Sequence, residues 1–387
     1  MKIFATNYKD LHDVASRLDF PEIEKRRGYD LSFVTHYIIE KKLVPMNWYE
    51  VSGGILNGSS EFGGIDKIME VDLCIKLENH KEIEDRKFKP KVVAYDIETD
   101  EFKIGEGEIL MISLVSDNFK KVITWKNHEG KKTNKLDYVE YVENEAELLE
   151  KFIEYIKKLS PDFLVGYFSD GFDLPYLKAR ADKHRIKLSL GLDGSQPRFM
   201  RGGFGKGLGT GRISGLAHID LLKFIQTAYS QYMQSETLSL NEVSKEFLGD
   251  EKKPFTFQHS SKLEDHHWEP YFKYNLHDSD LVFRMFGKFW PDLLEFTRIM
   301  QEPIFDVSRN GMSNNVEDFI LHNLEKFNEI PEKKATHDEI GKRREERPYE
   351  GAFVLEPIPG LYENLAVFDF TSSYGSTIVT FNLSKST

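Results

Sequence analysis

In the stretch VVAYDIETD, Asp96 and Glu98 stand two residues apart. On a strand that spacing sends both side chains out of the same face. Two carboxylates held so close repel each other, and a divalent cation between them relieves the repulsion. A lone D-x-E pair is also common at solvated strand ends, so further acids are required. GYFSDGFDLPYL supplies Asp173 where a strand passes into a helix, with Phe172 and Pro175 around it. Taken alone, Asp173 reads as the N-cap of that helix. YFKYNLHDSDLVFRMF places Tyr274 and Asp278 at i and i+4 on one helical face, as an ordinary amphipathic helix would.

Phosphodiester hydrolysis gives these residues a common purpose. The reaction needs charge neutralised on the phosphoryl oxygens, an activated water and a stabilised leaving oxygen. Two Mg²⁺ or Mn²⁺ ions about 3.5 to 4 Å apart meet all three needs. Such ions take oxygen ligands and keep several waters, so carboxylates without cysteine are the expected ligand set. A tyrosine hydroxyl one turn from the last acid is placed to orient the attacking water.

The elements that must position these residues follow from pattern. Val92 to Ile97 is a predicted strand, ILMISLVSD and KVITW are two more, and NEAELLEKFIEYIKKLS has helical spacing. PDFLVGYFSDGFDLPYLKARADKH reads as strand, loop and helix, and this alternation predicts an α/β layer architecture. Upstream, Phe33, Tyr37, Ile38 and Leu43 mark one amphipathic helix, and ENHKEIEDRKFKPK reads as a charged linker. Downstream, VEDFILHNLEKFNEI is helical, and the polar segment PEKKATHDEIGKRREERPYEG reads as an exposed crossing between domains before a final strand. No internal repeat or low-complexity tract interrupts the pattern.

With 387 residues and 40% hydrophobic side chains, the chain is long enough for two or three cores. A net charge of −12 argues against indiscriminate coating of nucleic acid, leaving any phosphate contact to local basic clusters. Cys74 is the single cysteine, so internal disulfides and zinc ribbons are excluded. No apolar run reaches the length of a membrane span and the start is unlike a signal peptide, so no membrane partner and a cytoplasmic location are expected. RGGFGKGLGTGR lacks the G-K-[ST] ending of a phosphate-binding P-loop. His266 and His267 in EDHHWEP read as surface loop residues. KRREERPYEGA sets basic residues beside Tyr349, a combination able to touch phosphates and stack a base, although a solvated charged linker has the same composition.

D-I-E on a strand, then G-Y-x-x-x-x-F-D, then Y-x-x-x-D resemble the three exonuclease motifs of family B DNA polymerases, most closely the archaeal branch. The resemblance extends through LSLGLDGSQP, GRISGLAHIDLL, RRE with YEGAFVLEPIPGLYEN, and DFTSSYGSTIVTFNLSKST, in family order. It implies an α/β fold of the multi-domain α+β kind. That fold comprises an RNase H-like 3′-5′ exonuclease domain with a mixed sheet flanked by helices, a partial N-terminal domain and the beginning of a palm. The implied divisions are 1–88, 89–289, a helical segment 290–334 returning to the N-terminal domain, and 335–387. Asp96, Glu98, Asp173 and Asp278 are implied to bind two Mg²⁺ or Mn²⁺ ions, with Tyr274 positioning the nucleophile. The glycines of RGGFGKGLGTGR fall at a β-hairpin tip. Where the family commonly has asparagine after the second-motif tyrosine, this chain has Phe168, which is expected to slow hydrolysis while sparing the metal ligands.

The resemblance also assigns the remaining motifs. Tyr349 and Gly351, with Ala352 in place of a second glycine, match the motif that guides the DNA strand, and Arg343, Arg344 and Phe172 join them as DNA contacts. Asp369 is implied to be one of two palm metal carboxylates, and Tyr374, with Ser372, to form the nucleotide site that blocks a ribose 2′ hydroxyl. Ser373 and Gly375 replace the usual leucine and proline. Ser32 stands where archaeal members have a proline, so a complete uracil-sensing pocket is not expected. No stretch matches the fingers helix, the second palm motif or the thumb. The chain alone is therefore expected not to polymerise DNA. It would act on primer-template and single-stranded 3′ ends as the N-terminal portion of a polymerase, using dNTPs only with a second chain, or be a truncated piece of one. A stand-alone 3′-5′ DNA exonuclease and a catalytically silent DNA-binding scaffold are the rival readings.

Overall fold

Side chains along Val92–Thr99 leave alternately toward two layers, as a strand between them requires. Val93, Tyr95 and Ile97 join one apolar cluster, while Val92 and Ala94 join another on the opposite face. Asp96 and Glu98 continue the second face. In the computed structural model the described residues are 3, 5, 7–23, 26–61, 64–126, 136–199, 209–251, 259–331, 335–346 and 353–383. They form two compact units, Met1–Lys333 and Lys334–Thr387.

Among the described residues of the first unit, the strands are β1 (Trp48–Ile55), β2 (Ile75–Ile83), β3 (Val92–Thr99), β4 (Ile109–Ser116), β5 (Phe119–Thr124), β6 (Val139–Tyr141), β7 (Phe163–Gly166), β8 (Arg198–Phe199), β9 (Gly211–Arg212) and β10 (Ala217–Asp220). The helices are α1 (Leu11–Arg17), α2 (Phe33–Lys41), α3 (Ile65–Ile68), α4 (Glu145–Leu159), α5 (Asp173–Lys183), α6 (Leu221–Ala228), α7 (Leu240–Leu248), α8 (Asp265–Met300), α9 (Ile304–Val307) and α10 (Met312–Asn323). The second unit contains α11 (His337–Glu345) and α12 (Ser373–Phe381).

The central mixed sheet runs β10-β7-β3-β4-β5-β6. β3 pairs antiparallel with β4 and parallel with β7, so the strand bearing Asp96 and Glu98 is buried between neighbours. Helices α4 and α5 supply Leu148, Leu149, Phe152, Leu174 and Leu177 to one face. The other face is covered by α6, α7 and the long α8, through residues such as Phe224, Val243, Leu281, Met285 and Phe289. The fold is thus a six-stranded mixed sheet flanked by helices.

Local sequence explains the helix that backs the sheet. In α4 the apolar residues Leu148, Leu149, Phe152, Ile153 and Ile156 recur at helical spacing, and the Asn144 side chain accepts the Glu147 N–H at 3.0 Å. Asn144→Ala is expected to lower stability by about 1 kcal/mol, measured as a shift of the urea midpoint without change in slope.

Several expectations are corrected. The charged segment read as a linker is in part a strand: β2 includes Glu78 to Ile83 and pairs antiparallel with β1. Both faces of β2 are largely exposed, so no apolar alternation marked it. Helix α2 forms, but Phe33 and Tyr37 are exposed and only Thr35 and Ile38 are buried, because little of this small region packs on it. Ser32 has a local task there: its Oγ accepts the Thr35 N–H and caps α2. His266 and His267 lie in the first turn of α8, where the Glu264 N–H bonds His267 Nδ1, rather than in a loop. The polar segment near 331–351 contains α11, capped by Thr336 and Glu339. No strand forms at Leu365 to Phe370, since among the described residues nothing pairs with it. β8 and β9 pair as the base of the expected hairpin, whose glycine tip lies outside the described residues.

Candidate active site

The second-motif loop reaches the sheet by a tight return after β7. A Cβ on Gly166 would lie 2.4 Å from the Ser169 Cβ, so only glycine allows the chain to double back there. The loop is tied from below by Asp220, whose carboxylate accepts the N–H groups of Phe168 at 2.9 Å and Asp170 at 3.1 Å. Asp170 is buried with Arg309, whose Nε donates to it at 2.7 Å, and His218 approaches the same carboxylate at 3.4 Å. Burial would raise the Asp170 pKa, but His218 and Arg309 outweigh it and hold the carboxyl well below the usual carboxylate range. Phe168 occupies the left-handed region at φ 59 with its ring over Gly171, a backbone position that asparagine takes more readily than phenylalanine.

This anchored loop delivers Asp173 to β3. Asp173 is not the helix cap: Phe172 precedes α5, and Asp173 is the first helical residue. Its Oδ1 instead accepts the Ile97 N–H at 3.3 Å, between the two acids of β3, because strand and loop are brought edge to edge across the sheet. Asp173 is buried.

Helix α8 crosses the same face. Its buried stripe includes Tyr271, Asn275 and Asp278, at i, i+4 and i+7, so one line of side chains meets β3. Asp96, Glu98 and Asp278 each offer an oxygen within 4.8 Å of one another. Two protein donors steady this trio: the Tyr271 hydroxyl donates to Glu98 Oε2 at 3.0 Å, and Asn275 Nδ2 donates to Asp96 Oδ2 at 2.7 Å. Burial first, and then the carboxylates of Glu98 and Asp96, push the Tyr271 phenol far above its ordinary pKa, so it stays protonated and acts as a donor. Tyr274 is half-buried on the adjoining turn, its ring 6.4 Å from that of Tyr271.

The donor set fits hard divalent cations. It is all oxygen, negatively charged and partly buried, and it contains no cysteine or histidine. Sequence reasoning named the three carboxylates and missed Tyr271 and Asn275. The signal was present in their helical spacing from Asp278, but nothing local shows that they face β3.

The other expected site residues are placed as follows. Phe172 is half-buried, with its ring 5.3 Å from Tyr176 and against the core. In the second unit, Arg343 and Arg344 lie on α11, with Arg343 exposed. Asp369 is exposed, Ser372 precedes α12 in the left-handed conformation, and Tyr374 is exposed in the first turn of that helix. Tyr349, Gly351 and Ala352 lie outside the described residues. No described helix is long and apolar enough to cross a membrane.

This combination of mixed sheet, anchored loop and crossing helix has a counterpart among solved structures. The structure of the family B DNA polymerase from Pyrobaculum calidifontis superposes with a TM-score of 0.73 over 98% of this chain and 46% of that one, at 21% identity. The family model for the exonuclease domain of DNA polymerase family B matches residues 24–243, and the model for DNA polymerase family B matches residues 303–387. The chain belongs to DNA polymerase family B. Similar curated proteins include the DNA polymerase of Thermococcus gorgonarius, 29% identical, and DNA polymerase 1 of Pyrococcus abyssi, 30% identical. Each alignment covers 100% of this chain and 44% of the relative, so the chain spans less than half the length of these proteins.

Proposed function

We propose that this chain is the proofreading portion of a family B DNA polymerase and removes nucleotides from 3′ ends of DNA by hydrolysis assisted by two Mg²⁺ or Mn²⁺ ions. The observation that carries the reading is the meeting of Asp96, Glu98 and Asp278 within 4.8 Å between β3 and α8. Bound ions would neutralise phosphoryl charge, activate water and stabilise the leaving 3′ oxygen. The three carboxylates, with Asp173 beside them, would hold those ions. Asp173 also locks the second-motif loop to the strand through the Ile97 N–H. In this reading Tyr274 orients the attacking water and Phe172 borders the path of the DNA strand.

The division into 1–88, 89–289, 290–334 and 335–387 is part of the same proposal, the last segment beginning the palm. Asp369, Ser372 and Tyr374 belong there to the nucleotide and metal site, and Arg343, Arg344, Tyr349 and Gly351 to the DNA path. Synthesis would draw on palm, fingers and thumb segments beyond these 387 residues, whether on the same chain or on a second one, and dNTPs would bind only with them.

The test is a gel assay of the purified chain on a 5′-labelled primer-template with Mg²⁺, with and without dNTPs. Stepwise shortening that dNTPs do not reverse is the expected result. Extension by these residues alone would refute the need for further polymerase segments, and absence of shortening would refute the exonuclease assignment.

A further inference from the structure

Two side chains of α8 that hold no fixed position in the motifs touch the acids of β3. Tyr271 is buried, and its hydroxyl reaches Glu98 Oε2 at 3.0 Å. Asn275 is fully buried, and its Nδ2 reaches Asp96 Oδ2 at 2.7 Å. An ionised carboxylate only accepts, so the amide nitrogen must face Asp96 and the orientation of the amide is set. The backbone at this turn is held too, because Ser113 Oγ donates to the Asn275 carbonyl at 2.9 Å and lies 2.6 Å from Ser279 Oγ. Both donors therefore stand on a helix clamped to the sheet.

We propose that Tyr271 and Asn275 set the ion preference of this site, each engaging one oxygen of a carboxylate so that Glu98 and Asp96 present single oxygens to a bound cation. The proposal rests on the reading of the acidic trio as a divalent-ion site. Small ions such as Mg²⁺ and Mn²⁺ keep near-octahedral shells that single carboxylate oxygens and waters fill. Ca²⁺ is larger, takes more oxygens and commonly binds both oxygens of one carboxylate. A donor that turns one oxygen of Glu98 toward the protein disfavours that bidentate mode. The same amide of Asn275 has a second feature: its Oδ1 finds no hydrogen-bond partner among the described residues. A buried acceptor in that condition carries a desolvation cost.

The test is titration calorimetry of Mn²⁺ and of Ca²⁺ into the purified DNA-free chain, its Tyr271→Phe variant and its Asn275→Ser variant. Tyr271→Phe deletes only the hydroxyl, and thermal unfolding reports whether each variant is folded. Mn²⁺ affinity is expected to fall by about tenfold in each variant. Ca²⁺ affinity is expected to hold or rise, so that the Mn²⁺ to Ca²⁺ preference narrows by about tenfold. Equal weakening for both ions would mark the two residues as merely structural and overturn the proposal. An unchanged preference in both variants, with wild type binding Mn²⁺ normally, would overturn it as well while leaving the metal site standing. Failure of the wild type to bind Mn²⁺ would overturn this proposal and the reading on which it rests.

Discussion

Replacing Asp96 and Glu98 together with alanine is expected to reduce Mg²⁺-dependent removal of 3′ nucleotides by at least about a thousandfold, equivalent to about 4 kcal/mol of barrier. The two residues carry two of the three oxygens that converge within 4.8 Å, and the remaining Asp278 cannot hold a divalent ion by itself. The fold should survive. Both side chains sit on the face of β3 that α8 crosses, beyond Val92 and Ala94, and are not members of the apolar clusters. Removing two close negative charges relieves their mutual repulsion, while the buried Tyr271 hydroxyl and Asn275 amide lose their acceptors. The two effects oppose each other, and the metal-free double variant is expected to remain folded with a cooperative melt near that of wild type. Wild type alone should gain thermal stability on adding Mn²⁺, because an ion bound only to the native state stabilises it by mass action. Undiminished degradation of single-stranded DNA by the double variant would place the active site elsewhere.

Glu145→Ala is expected to cost roughly 3 to 5 kcal/mol of stability, the largest effect of any single change considered. Glu145 and Arg180 are only 3% and 2% exposed and form a two-pronged ion pair between α4 and α5, with Arg180 Nε 2.7 Å from Glu145 Oε1. The same carboxylate accepts the Ile109 N–H at 2.8 Å and meets His184 Nε2 at 2.7 Å, so one side chain joins two helices to β4. Its removal leaves the Arg180 guanidinium buried without its counter-charge. Chemical unfolding of the variant measures the loss, and a Glu145→Leu, Arg180→Met double variant is expected to recover most of it, since neither charge then remains buried. Loss below about 1 kcal/mol in the single variant would show that the pair contributes little.

The same pair imposes a pH dependence. Burial alone would raise the Glu145 pKa, but hydrogen bonds from Arg180, the Ile109 N–H and His184 outweigh it and hold the carboxyl below its ordinary 4.5. A depressed carboxyl stabilises the fold above its unfolded-state pKa and loses that contribution as pH falls through the folded-state value. The gap between wild type and Glu145→Ala should therefore be complete at neutral pH and close below about pH 4.5.

Much of this protein was legible in residue order alone. The apolar run from Val92 marked a strand on which two-residue spacing placed Asp96 and Glu98 on one face, and helical spacing placed Asp278 on the helix that carries the apolar stripe. Such periodicities depend only on local chain geometry, which is why they survive in one dimension. Strand β2 escaped because a strand exposed on both faces carries no alternation to read. The expected strand near Asp369 did not form because a strand is defined by a partner, and none of the described residues supplies one. Taken alone, Asp173 has the position of a helix cap, and only the sheet brings the Ile97 N–H to its carboxylate. Tyr271 and Asn275 lie 173 and 179 residues from the acids they hold, and their helical spacing from Asp278 does not show that they face β3. Residue order determined which side chains could bind an ion and which face each would leave. Only the packing of α8 across β3 decided which of them meet, because the hydrogen bonds that fix a carboxylate come from whatever the tertiary fold places opposite it.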